Sequence, residues 1–156
     1  MITLPIPTSF GMLRPWSPGD AEALVRYANN RKVWLNLRDG VPHPYGPPQA
    51  EAFLQAALGR NPPTVLAIAT RDEAIGGIGL SPNQDVHRLT AEMGYWLGEP
   101  FWGKGIMSEA VAKFADYGFE QFGLLRIYAE PYAHNAASGR VLEKAGFVLR
   151  ETRWDP

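Results

Sequence analysis

The 156-residue sequence contains no cysteine. Disulfides, thiolate metal sites and cysteine nucleophiles are therefore excluded as explanations of what the chain does. Histidine is scarce: the three present, His43, His87 and His134, are scattered, with no HxH or HExxH spacing, so no metal site is expected. Charge of either sign is not in excess, with 15 basic and 16 acidic residues and a net charge of -1, which gives no general attraction for nucleic acid or an anionic membrane. No apolar run is long enough to span a bilayer. The start "MITLPIPTSF" lacks the basic region and apolar run of a signal peptide, so a cytoplasmic location is the default expectation.

What is present is an ordinary globular composition, 46% hydrophobic and 20% charged, in a length that predicts one domain over residues 1–156. No internal repeat or low-complexity segment appears. "GMLRPW" reads as a short strand and "SPGD" as a turn that starts a helix. "DAEALVRYANNRKVWLNL" carries Ala23, Leu24, Tyr27, Val33, Trp34 and Leu37 at helical spacing, read as two helices that break near Asn29 and Asn30. The prolines of "RDGVPHPYGPP" require a loop. "PQAEAFLQAALG" is a third helix, ended by Gly59. "TVLAIAT" and "AIGGIGL" are strands joined by the turn "RDEA", and "TAEMGYWL" is another strand.

The stretch "EPFWGKGIMSEA" follows that strand directly and leads into a run with Met107, Ala110, Val111, Phe114 and Gly118 at helical spacing. Ordered glycine costs conformational entropy, so Gly103 and Gly105, one residue apart, mark a sharp bend or a close backbone approach. A strand, two glycines and a helix start form a ready anion site, because the first helical turn offers unpaired N–H groups at the positive end of the dipole. Gly103, Lys104, Gly105, Ile106 and Met107 would supply the amides, and Lys104 a charge. The alternative is a tight strand-to-helix turn with no ligand. Neither a P-loop nor a dinucleotide fingerprint fits, since the first needs Gly-Lys-Ser/Thr and the second a third glycine. "LLRIYAEPY" is the next strand, "NAASGRVLEKAG" a helix with Ala137, Val141 and Ala145 facing inward, and "FVLRETRW" one final strand.

"AEMGYWLGEPFWGKGIMSEA" together with "NAASGRVLEKAGF" resembles the acetyl-CoA-binding core of the GNAT superfamily of N-acetyltransferases. The match is to the ribosomal-protein alanine N-acetyltransferase branch, and "LRPW", "DAEALVRYANN" and "RDGVPHPY" extend it over nearly the whole chain. The resemblance implies an α/β (α+β) fold with a mixed, mostly antiparallel, splayed sheet flanked by helices. It implies acetyl-CoA as co-substrate, and acetyl transfer to a primary amine by direct attack in a ternary complex. The acceptor it points to is a protein or peptide N-terminus, with a small-molecule amine, or a non-catalytic CoA-binding domain, as alternatives.

Residue by residue, the loop matching Trp102 to Met107 would wrap the CoA pyrophosphate, with Trp102 where most members carry Arg or Gln. The strand "MGYWL" is expected to carry a bulge and to splay from the next strand, so that the amides of Tyr95 and Leu97 pair with the pantetheine arm. Asn135 would bond the same arm, and Arg140 and Lys144, one turn apart, would meet the 3′-phosphate or else form a solvated helix face.

For the chemistry, the Leu97 amide would polarise the thioester carbonyl. Glu92 is the expected base, directly or through a water, against the alternative of a surface strand glutamate. Many members use a tyrosine as acid where this chain has Leu142, so that role fails; Ser138 matches a serine proposed as the acid in this branch, against a helix-cap hydroxyl. Trp34, His43, Tyr45 and Trp96 would line the acceptor groove, unless the aromatics are core. The family continues past "RETRWDP" into a last strand, and without it the strands at "LLRIYAEPY" and "FVLRETRW" would lose a shared partner, an edge that a homodimer could cover.

Overall fold

A computed structural model describes residues 2–34, 45–83, 89–129, 136–150 and 153–155. Six strands form one sheet in the order of the chain: β1 (Ile6–Pro7), β2 (Met12–Arg14), β3 (Val65–Ala69), β4 (Ala74–Pro82), β5 (Thr90–Leu97) and β6 (Arg126–Tyr128). The first four pairings are antiparallel and the last, β5 with β6, is parallel. This is the mixed, mostly antiparallel sheet that the sequence led us to expect. β3 and most of β4 are buried without alternation, because helices cover both faces of the sheet.

One face packs on α4 (Ile106–Phe122). Leu66, Ile68, Ile78, Leu80, Met93 and Leu97 meet Ile106, Met107, Ala110, Val111 and Phe114 there. Gly118 lets α4 lie close, since a Cβ at that position would come within 2.8 Å of Leu80 and 3.0 Å of Ile127. The other face packs on α1 (Ala21–Ala28) and α3 (Pro47–Leu58), through Trp16, Leu24, Tyr45, Leu54 and Ala67. The short α2 (Arg31–Trp34) follows α1 after the break expected at Asn29 and Asn30. The turn into α1 is fixed by Asp20, which is buried, accepts two hydrogen bonds from the Arg14 guanidinium (2.9 and 2.8 Å) and one from the Ser17 amide.

The sheet opens at β5. Along β4 the pairing runs without a shift from Gly76↔Leu97 to Pro82↔Ala91, so the bulge expected in β5 is not there; the register shift lies between β3 and β4, at Ile68/Ala69. On its other side, among the described residues, β5 is joined by β6 from Thr90↔Arg126 to Glu92↔Tyr128. Two bonds set the parity of the β4–β5 ladder: the Asn83 amide donates to the Thr90 carbonyl (3.0 Å) and the Gly98 amide to the Ile75 carbonyl (2.8 Å). Hydrogen-bonded positions alternate in an antiparallel pair. The backbone groups of Glu92, Gly94 and Trp96 therefore face β4, and those of Met93, Tyr95 and Leu97 face the side where β5 and β6 part.

Three further readings need correction. "FVLRETRW" is not one strand: β7 (Val148–Arg150) pairs antiparallel with β8 (Arg153–Asp155) in a separate two-stranded sheet, and among the described residues β6 has β8 near it but pairs as a strand with β5 alone. In α5 (Ala136–Lys144) Val141 and Ala145 are half-buried and pack against the core as expected, but the most deeply buried residue is Leu142, which the inward stripe left out; the side chain of Ala137 lies outside the described residues. β1 was not anticipated at all. Among the described residues no helix is long and apolar enough to cross a membrane, and no three His, Asp or Glu side chains gather as a metal site would require.

Candidate functional site

The segment between β5 and α4 is built by contacts from α1 and α2. Gly98 follows β5, and a Cβ there would come within 2.8 and 3.0 Å of two Tyr27 ring atoms, so glycine lets the ring lie on the backbone. Tyr27 then meets Phe101 edge-on at 5.4 Å between ring centroids. Between them, Glu99 accepts a hydrogen bond from the Asn30 side-chain amide (2.9 Å) and another from Lys32 Nζ (3.1 Å). These donors hold the Glu99 carboxyl below the usual carboxylate range. The carbonyl oxygen of the same Asn30 side chain accepts from the Lys32 and Val33 amides (2.8 and 3.3 Å), so one residue caps α2 and ties it to the loop.

The loop then doubles back on the strand it left. The Trp102 indole donates to the Leu97 carbonyl at 2.7 Å, on the opened side of β5. Gly103 and Gly105 adopt left-handed conformations, with φ of 75° and 78°. No described atom lies within 4 Å of where a Cβ would sit at either, so backbone conformation and not crowding calls for glycine. Gly105 is the N-cap of α4, and no side chain caps that helix. Ile106 and Met107 are buried, which seats the first turn with its N–H groups directed outward past the glycines. Lys104 is exposed beside them. An uncapped 17-residue helix with a cation at its entrance suits a phosphate-bearing ligand, and this arrangement fits the pyrophosphate of CoA.

The outer side of the same helical turn is tied to the β1–β2 hairpin. Glu109 accepts from both the hydroxyl and the amide of Ser9 and pairs with Lys113, whose ammonium also donates to the Pro7 carbonyl (2.8 Å). Burial pushes the Glu109 pKa up, but those hydrogen bonds and the Lys113 charge outweigh it, and the net shift is downward.

Of the other residues singled out in the sequence, Glu92 and Trp96 are half-buried on β5. Their side chains share the face turned away from α4, where Trp96 packs against the cluster of Trp16 and Leu54. Tyr45 belongs to that cluster, with 6% of its surface exposed and its hydroxyl donating to the Gln49 carbonyl at 3.4 Å; burial raises its pKa. Tyr95 is half-buried against the α4 cluster. Ser138 lies in the first turn of α5, and Arg140 and Lys144 are exposed further along that helix. Trp34 ends α2. His43 and Asn135 lie outside the described residues. The structure thus gathers Tyr95, Leu97 and residues 102–107 around one opening. It adds Tyr27, Asn30 and Glu99, which sequence reasoning missed because their pairings span 67 residues or more of chain.

Comparison with known proteins gives a family and several relatives. Residues 12–148 match the family model described as "Acetyltransferase (GNAT) domain". The N-acetyltransferase YoaA of Bacillus subtilis is 36% identical over 149 residues, covering 90% of this chain and 82% of that protein. The ribosomal-protein-serine acetyltransferase of Escherichia coli is 33% identical over 82 residues, covering 53% of this chain and 45% of that protein. Among solved structures, RimJ of Mycobacterium smegmatis in complex with CoA-disulfide superposes with a TM-score of 0.78 at 23% identity, covering 94% of this chain and 75% of that one.

Proposed function

This chain belongs to the GNAT acetyltransferase family and is an acetyl-CoA-dependent N-acetyltransferase; we propose that its acceptor is the N-terminal α-amine of a protein or peptide. The reading of the cofactor site rests above all on the uncapped start of α4 behind two left-handed glycines, at the end of a strand whose alternate backbone groups face an opening. The acceptor reading is supported by the likeness to a protein named as a ribosomal-protein acetyltransferase. An acceptor of that kind is met in the cytoplasm.

In this reading the amides from Gly103 to Met107, with Lys104 and the Trp102-anchored loop, hold the pyrophosphate. The pantetheine arm lies along β5 against the Tyr95 and Leu97 backbone and meets Asn135, while Arg140 and Lys144 reach the 3′-phosphate. Trp34, His43 and Trp96 border the acceptor, whereas Tyr45 is buried in the core and has no part in the groove. The neutral amine attacks the thioester carbonyl carbon as the Leu97 N–H takes up the developing oxyanion. Glu92 lies about 16 Å along β5 from Leu97, so it would receive the amine proton through a chain of waters, and the C–S bond breaks. The departing thiolate takes a proton from the Ser138 hydroxyl, which solvent restores. Holding both reactants in place is worth ~7–11 kcal/mol in well-oriented systems, so this site has little covalent work to do.

The test is to incubate the protein with acetyl-CoA and a panel of peptides and polyamines, and to locate the acetyl group by mass spectrometry. Acetylation at the peptide α-amine is expected. Turnover of polyamines with none of the peptides would refute the acceptor assignment. For the base, the rate should rise with pH as Glu92 ionises, and Glu92→Gln should remove that limb while leaving acetyl-CoA affinity unchanged. An unaltered pH profile in the variant would eliminate Glu92.

A further inference from the structure

Glycine in the middle of a strand weakens it, and usually marks a bulge, a crowded packing position or a close approach by a ligand. Gly94, at the centre of β5, can be taken through those reasons one at a time. Its φ is not positive, so the backbone does not require glycine. The β4–β5 register runs unbroken through Gly79↔Gly94, so there is no bulge. No described atom lies within 4 Å of where a Cβ would sit, so there is no crowding. Its neighbours on the same face behave differently. At Gly77 a Cβ would come within 2.7 Å of the Trp96 indole nitrogen, and at Gly79 within 2.7 Å of Val65 Cγ1. Those two glycines make room for side chains that are there, whereas Gly94 is exposed.

The place is defined by its surroundings. Side chains alternate across a strand, so residue 94 shares its face with Glu92 and Trp96, each roughly 6.6 Å away along the chain. Val65, leaning over Gly79, closes the β4 side. The backbone groups of Met93, Tyr95 and Leu97, which face the opened side of the sheet, flank the same point. An acceptor whose amine meets an acetyl group held at the Leu97 amide, and which extends along β5 in the direction of Glu92, would lay the substituent on its α-carbon toward residue 94.

We propose that Gly94 is the specificity-determining position of this acetyltransferase: by lacking a side chain it opens a hollow between Glu92 and Trp96 that receives the first side chain of the acceptor. The inference rests on the peptide-terminus reading above and adds to it where the acceptor's identity is read. It also explains why a mid-strand position retains the residue least suited to a strand.

Gly94→Ala and Gly94→Val test it, because the position has both the φ and the space for a side chain, and valine favours strands. Both variants should melt no lower than wild type and keep its KM for acetyl-CoA. At saturating acetyl-CoA, kcat/KM is measured on peptides that begin with Gly, Ser, Leu and Phe. Gly94→Val should lose at least tenfold more activity on the Leu and Phe peptides than on the Gly peptide, with Gly94→Ala between it and wild type. The same selectivity profile in all three proteins would overturn the proposal, as would a loss confined to acetyl-CoA KM, which would put residue 94 on the cofactor. If wild type acetylates only small amines, the peptide reading fails on its own. A series of amines graded in branching at the α-carbon then tests Gly94 by the same ratio.

Discussion

Helix α4 carries a matched pair of glycines that separates conformational strain from ligand binding. Gly105 at its start has φ 78° and ψ 1°, and Gly123 at its end has φ 62° and ψ 29°; no described atom lies within 4 Å of the Cβ position of either. Alanine at either site meets no clash and incurs only the left-handed penalty, about 1–2 kcal/mol. In a chain of this size each kcal/mol lowers Tm by about 2–4 °C, so Gly123→Ala should lose about that much in thermal unfolding, while Gly105→Ala, in a loop free to relax, should lose less. They should differ in binding. If the free loop of Gly105→Ala relaxes out of the left-handed region, acetyl-CoA must restore it, and 1–2 kcal/mol corresponds to roughly a 5–30-fold weaker Kd. Gly123 lies ~25 Å away at the far end of the 17-residue helix, and its substitution should leave Kd unchanged. Calorimetric titration with acetyl-CoA measures both. A Gly105→Ala variant that keeps both the wild-type Tm and the wild-type Kd would refute the claim that the left-handed Gly105 serves the cofactor.

Three other outcomes are expected. Trp102→Phe keeps a ring but removes the N–H that the Leu97 carbonyl accepts; a net hydrogen bond of ~1 kcal/mol translates to about a fivefold rise in acetyl-CoA KM, read by steady-state kinetics. Glu99→Ala releases both Asn30 and Lys32, and should lower Tm and raise acetyl-CoA KM together, with Glu99→Gln, which can still accept from Asn30, between it and wild type. The lowered pKa of Glu109 means that its contribution to stability is fully present above the ordinary carboxylate value of 4.5 and is lost as pH falls through its folded value. The gap in Tm between wild type and Glu109→Gln, measured from pH 7 to pH 3, should therefore close only at the acid end.

What could be read from the residues divides by how local the signal is. The stripe of Met107, Ala110, Val111, Phe114 and Gly118 repeats within one helix, and all five are buried where the period places them. Gly103 and Gly105 were legible for the same reason, since positive φ is a property of single residues that only glycine accepts readily. Signals without local chemistry were missed. β1 is two residues long, too short for any alternation. "FVLRETRW" carries no glycine, proline, asparagine or aspartate to announce a reversal, yet it holds two antiparallel strands. In the helix that follows Asn135, Val141 and Ala145 pack against the core as their spacing suggests, but Leu142, outside that stripe, is the residue buried most deeply. Glu99 stood inside the stretch that drew most notice, but its partners on α2 belong to tertiary packing.

The same division explains why the cofactor side of the proposed site was easier to read than the proton path. β5 obeys two alternations at once. Its odd residues, Met93, Tyr95 and Leu97, put side chains toward the α4 core and backbone groups toward the opening; its even residues, Glu92, Gly94 and Trp96, put backbone groups into β4 and side chains on the opposite face. The cofactor, in the proposed reading, is held by backbone that is rigid because the side chains of those same residues are buried. The acceptor is met by side chains whose backbone is already committed to the ladder. A slip of one residue would exchange the two sets and destroy both functions, and the unbroken pairing with β4 over seven positions guards against it. Backbone geometry announces itself in glycines and strand order. The proposed base, Glu92, is defined only by the face it shares with Gly94 and Trp96, and that face follows from the register, not from the glutamate itself.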